Sequence, residues 1–145
     1  MTDFSRENLL LVAAARYPLI NNDSERIAAL SGMSLDWNYE LSTAGRHGLA
    51  PMLFQTLAEA HVEEQIPARK YEILRKTYLT SLLNNRRLYE SLSPVLEIFA
   101  DNSIPVILLK GAAFCLNIYS DMALRPFGDL DILVEQKHVP VCRKL

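Results

Sequence analysis

Asp129 and Asp131, in the segment GDLDILV, are the residues of this sequence whose type and spacing best suit chemistry. On a strand, successive side chains alternate faces, so the two aspartates point one way while Leu130, Ile132 and Val134 line the opposite, buried face. At a rise of about 3.3 Å per residue their backbones stand roughly 7 Å apart, and the carboxylates can converge on one ion. Oxygen ligands of this hardness suit Mg2+ or Mn2+, which complete their coordination with water and substrate phosphates. The plainer alternative is a pair of acids capping a solvent-exposed strand end. Upstream, the apolar run IPVILL over residues 104–109 stops at Lys110-Gly111, and a helix-compatible segment follows. Gly111 allows close backbone approach at a helix N-terminus, where amide hydrogens and the helix dipole favour a phosphate, and Lys110 adds a cation. An ordinary tight turn is the alternative for that dipeptide alone. Strand, turn, helix and strand in this order describe a phosphate cradle facing a metal site.

The same residues carry a family likeness. LLKGAAF, then Tyr119-Ser120-Asp121, then Leu124-Arg125-Pro126, then GDLDILV resembles the uncharacterised nucleotidyltransferases of the polymerase-beta-type superfamily. The specific motifs cover roughly the last forty residues, and the helical segment before them matches more loosely. The resemblance implies a mixed sheet flanked by helices, two divalent ions, and transfer of a nucleoside monophosphate from a nucleoside triphosphate (NTP) to an acceptor that the sequence does not identify. Under it, Asp129 and Asp131 fall on the metal-binding pair, Lys110 and Gly111 on the turn facing the phosphates, and Arg125 on a linker arginine suited to a phosphate or structural contact.

Two departures from the pattern stand out. The superfamily turn is commonly Gly-Ser, whereas Ala112 and Ala113 follow Gly111, so the hydroxyl contact to phosphate is missing. The superfamily also takes a third carboxylate from a later strand, and the sequence stops at Leu145 before one is expected. Glu135 shares the face of Asp131 but lies about 13 Å further along an extended chain, too far to join the same ion.

These residues need elements to hold them. Asp3 or Ser5 can cap a first apolar helix, which Pro18 ends. Asn22 and Glu25 stand at capping-box spacing ahead of a second helix stopped by Gly32. Ser34 and Asp36 begin a third, with Trp37 in the core, and Pro51 suits the first turn of a fourth. Pro67 opens a long helical pattern reaching about Asp101, with Tyr71, Leu74, Tyr78, Leu82, Leu88, Leu92, Leu96 and Phe99 as its buried stripe. Pro94 inside that pattern predicts a kink or a division. The arginines and lysines of this helix interleave with Glu72, Glu90 and Glu97, as on a solvated face. A short helix with Pro140 in its first turn is expected near the end.

Composition narrows the class. With 145 residues, half of them hydrophobic, the chain suits a globular fold. Its formal charge of -2 gives no basis for general nucleic-acid binding. Two cysteines without ligand spacing, and no signal peptide or membrane span, predict a reduced, cytoplasmic protein. The expected fold class is therefore α+β, predominantly helical: an N-terminal helical bundle over residues 1–102, then residues 103–145 as a partial catalytic core with the first strands and helix of a polymerase-beta-type nucleotidyltransferase. Two strands are marginal as a sheet, so a second copy or a C-terminal continuation is expected to complete it. The competing expectation is a non-catalytic binding or assembly module derived from a truncated relative.

Overall fold

The computed structural model describes residues 5–145, and the expected cap at Asp3 lies outside them. Helix α1 (Arg6–Ala14) starts where the Ser5 hydroxyl accepts the Asn8 amide at 3.3 Å. Helix α2 (Asp23–Ser31) does not form the expected capping box: Asn22 makes no side-chain cap, and Asp23 instead accepts the Ile20 amide at 3.0 Å, bracing the turn before the helix. Asp36 caps α3 (Trp37–Arg46) by accepting the amides of Asn38 and Tyr39. Pro51 occupies the first turn of α4 (Ala50–Glu59), where no amide hydrogen is needed.

Leu10 of α1, Ile27 of α2, Ala44 of α3, Leu53 and Leu57 of α4, and Leu74 of the next helix form one buried cluster with Trp37 at its edge. The next helix, α5 (Ala68–Asp101), is 34 residues long and runs unbroken through Pro94. The expected division does not occur. Pro94 is exposed, and Leu92, Leu96 and Phe99 continue one inward stripe on both sides of it, so packing offsets the missing backbone hydrogen bond.

Beyond α5 come β1 (Val106–Leu108), α6 (Lys110–Asn117), a single 3-10 turn at Met122–Leu124, β2 (Ile132–Val134) and, after a second such turn, α7 (Val139–Cys142). The strands pair antiparallel, Val106 with Val134, Ile107 with Leu133 and Leu108 with Ile132. Among the described residues this pair is the whole sheet, rather than the mixed sheet that the resemblance implied. Val106, Leu108, Ile132 and Val134 are half-buried, while Ile107 and Leu133 remain 60% and 51% exposed. The alternation expected of β2 therefore holds, with a shallower buried face. Among the described residues, no helix is long and apolar enough to cross a membrane.

Candidate active site

Both aspartates lie before the strand that was expected to carry them, Asp131 by one residue and Asp129 by three. Leu108 opposite Ile132 is the last paired position, and the Leu109 amide adds one further bond to the Asp131 carbonyl at 2.9 Å. At Lys110 the backbone after β1 turns into α6, so residues 129 and 130 have no strand beside them and form the approach to β2. Asp129 is exposed and Asp131 half-buried.

Lys110 makes that turn with φ at +49°, the left-handed region, which is uncommon for a residue with a side chain. Its Nζ then reaches Asp131 Oδ2 at 2.8 Å. The hydrogen bond and charge of Asp131, with the charge of Asp129 acting in the same sense, hold the Lys110 ammonium above the ordinary lysine value. The direct contact is with Asp131 alone. The first turn of α6 has no side-chain cap, which leaves it suited to an anion.

Gly111 is buried, and its lack of a side chain has a packing reason. A Cβ at this position would meet Phe127 Cβ at 2.5 Å, so the missing side chain makes room for the linker. Phe127 also meets Tyr89 of α5 edge-on, with ring centroids 5.6 Å apart. Arg125 has an exposed side chain, and its carbonyl accepts a bond from Asn85 at 2.9 Å.

The linker is held by a polar stripe on α5. Tyr78 donates to the Asp121 carboxylate, and Asp121 in turn accepts the Ala123 amide at 2.8 Å. Burial first, and the Asp121 carboxylate second, push the Tyr78 phenol up to about 12, so it remains a donor at neutral pH. Ser81 donates to the Ala123 carbonyl at 2.7 Å, and Asn85 donates to both the Met122 and Arg125 carbonyls. Tyr89 donates to the Ala112 carbonyl in α6 at 2.6 Å. Sequence reasoning missed these holding residues. The signal was present, since the apolar stripe on α5 skips from Leu82 to Leu88, and Asn85 fills the gap.

Most of the chain, residues 33–145, matches the model of a family described as uncharacterised nucleotidyltransferases. The chain belongs to that family. No curated protein and no solved structure matches it. The matched region takes in α3, α4 and α5 as well as the strands, so the helix that braces the linker and the aspartates Asp129 and Asp131 fall within the same match. Among the described residues, no three His, Cys, Asp or Glu side chains gather as a ligand cluster. The acidic group at the site is the pair.

Proposed function

We propose that this chain transfers a nucleoside monophosphate from an NTP to an acceptor hydroxyl, with Asp129 and Asp131 as the metal-binding carboxylates. The observation that carries the proposal is the Lys110–Asp131 contact at 2.8 Å beside the uncapped start of α6, which joins carboxylate, cation and helix N-terminus in one place. The donor set fits Mg2+ or Mn2+: two hard carboxylate ligands, of which Asp131 already holds a positive group, with space at exposed Asp129 for water and phosphate. When bound, such ions withdraw charge from the transferred phosphorus and activate the acceptor hydroxyl.

The residues of the chain divide the remaining work. With Asp131 holding a metal, the Lys110 ammonium would be free to hold a phosphate oxygen. The α6 amides orient the phosphates, and Arg125, anchored through its carbonyl, contributes a second exposed cation. A second reading is a binding module without transfer, in which Lys110 and Asp131 form a purely structural ion pair.

The test is thermal-shift titration of the chain with Mg2+ and each NTP, beside Asp131→Asn. A ligand at a hundredfold over its Kd stabilises the native state by about 2.7 kcal/mol. The proposal expects a metal-dependent shift that the variant loses, followed by pyrophosphate release when an acceptor is supplied. Equal shifts in both proteins would overturn the assignment of Asp131. Binding without pyrophosphate release across acceptor classes would favour the module.

A further inference from the structure

Helices α1 and α3 face each other across a groove that none of Lys110, Asp129 and Asp131 lines, and α1 precedes the residues matched by the family. The polar end of the groove is a cavity of about 460 Å³ between Glu7 and Asn8 on one side and Asp36 and Tyr39 on the other. The apolar end is a cavity of about 330 Å³ between Leu11, Val12 and Ala15 of α1 and Thr43, His47 and Leu49 opposite. Asn8 lines both. We propose that this groove binds a small primary amine, with its ammonium on Glu40 and its apolar stem beside Leu11 and Val12.

Glu40 calls for the cation. Asp36, Glu40, Thr43 and His47 follow one another at spacings of four, three and four, which is one stripe of a helix. Asp36 lines the polar cavity while Thr43 and His47 line the apolar one, so Glu40 faces α1 between the two. Its side chain is fully buried, and neither carboxylate oxygen has a partner among the described residues. Buried polar groups are nearly always paired, so an open acceptor where two cavities meet marks the place of a donor. The neighbouring acids are already engaged: Glu7 accepts the Asp36 amide at 3.0 Å, and Asp36 accepts the amides of Asn38 and Tyr39. The Tyr39 hydroxyl donates to Asn8 Oδ1 at 3.2 Å, bridging the helices at the residue the cavities share.

Charge and shape define the ligand. Of the nearby cations, Arg46 donates to Thr43 at 3.2 Å, Lys70 of α5 donates to Asn38, and Arg6 acts on Glu7. Burial first, and the like charge of Glu7 second, keep Glu40 protonated at neutral pH. An arriving ammonium reverses that balance: it donates to the carboxylate, the carboxyl proton leaves to solvent, and a matched ion pair remains. An ammonium has three hydrogens to place, and Glu40 with Asn8 Oδ1 offers acceptors for them. The walls at Leu11 and Val12 suit a short alkyl stem.

Calorimetric titration with butylamine, in two buffers of different ionisation heat, tests this in wild type, Glu40→Gln and Val12→Trp, beside methylamine, butanol, Nα-acetyl-lysine amide and Mg2+. Glu40→Gln removes a charge that the fold disfavours, and Val12 is 47% exposed, so melts without ligand at or above that of wild type confirm that both variants are folded. Wild type is expected to release about one proton for each butylamine bound at pH 7, and less at pH 9, where Glu40 is already ionised. Glu40→Gln should lose at least about tenfold in affinity, together with the proton release. Val12→Trp should weaken butylamine and spare methylamine. Butanol binding as tightly as butylamine, or full affinity in Glu40→Gln, would overturn the proposal. Mg2+ that displaces butylamine and releases the same proton would overturn it in favour of a metal site. Tighter binding of Nα-acetyl-lysine amide than of butylamine would overturn the free amine in favour of a partner protein's lysine. A wild-type chain that binds no butylamine would overturn the site altogether, and none of these outcomes touches the proposed nucleotidyl transfer.

Discussion

Gly111 lies so close to Phe127 that a methyl group on it would stand 2.5 Å from Phe127 Cβ and 3.0 Å from Cγ. The contact pins the start of α6 to the linker that delivers Gly128 and Asp129. Because the nearest atom is a Cβ and not the end of a flexible side chain, backbone must move to admit any substitution. Gly111→Ala is expected to destabilise the fold by about 1–3 kcal/mol, as overpacking does, and to weaken metal–nucleotide binding by displacing Asp129. Urea denaturation and nucleotide titration of the same variant check the two effects.

Asn85 bonds two linker carbonyls from a fully buried position. Its Oδ1 has no partner, so its amide group is what the site uses. Asn85→Ala leaves both carbonyls without their donor and is expected to cost about 2–4 kcal/mol, against about 1 kcal/mol for Ser81→Ala. Asn85→Asp, which presents acceptors to acceptors, should cost at least as much as the alanine variant. Chemical denaturation ranks the three.

Lys110 competes with any metal for Asp131. Lys110→Met should therefore bind Mg2+ or Mn2+ alone more tightly than wild type while binding the triphosphate less tightly, because the competing ammonium and the phosphate contact are lost together. Titrations with Mn2+, in the presence and absence of nucleotide, separate the opposed signs. A parallel change in both would mean that Lys110 does not exchange partners.

Glu40 of α3 is fully buried, and neither carboxylate oxygen has a partner. Burial first, and the charge of Glu7 on α1 second, raise it from 4.5 to about 8. A raised acid binds its proton more tightly folded than unfolded, so its favourable contribution is complete below about 4.5 and is lost as pH rises to about 8. Thermal melts should show Tm falling across that window, and Glu40→Gln, which cannot ionise, should flatten the fall and melt higher than wild type at pH 8. An unaltered pH profile in the variant would place the proton elsewhere.

Local signals in the sequence survive folding where the partner is local. Ser5, Asp36, Pro51 and Pro67 stand at the helix starts they predict, because a cap or a missing amide acts within one turn. The long helix was legible from its stripe. The start of β2 was not, since residues 129 and 130 lack a partner only because the backbone after β1 turns away at Lys110. The fit of Gly111 to Phe127 joins residues from separate elements, and no periodicity records it. Of the site, the residue types of Asp129, Asp131 and Lys110 were legible, whereas the Lys110–Asp131 pairing and the bracing by Tyr78, Ser81 and Asn85 required the fold. The apparent false note in the pattern at Asn85 was the clearest trace of that bracing.

The uninterrupted course of α5 has a mechanical consequence. At about 1.5 Å per residue it is a beam of about 50 Å, embedded at Leu74 in the helical core and bolted at Asn85 to the linker. From one fixing point to the other is about 16 Å, so a tilt of about 5° at the embedded end swings the linker by about 1.4 Å. Displacements of about 1 Å suffice to change rates by about a hundredfold in a preorganised site. Anything that leans on the first four helices has, in α5, a lever fastened to the linker that leads to Asp129.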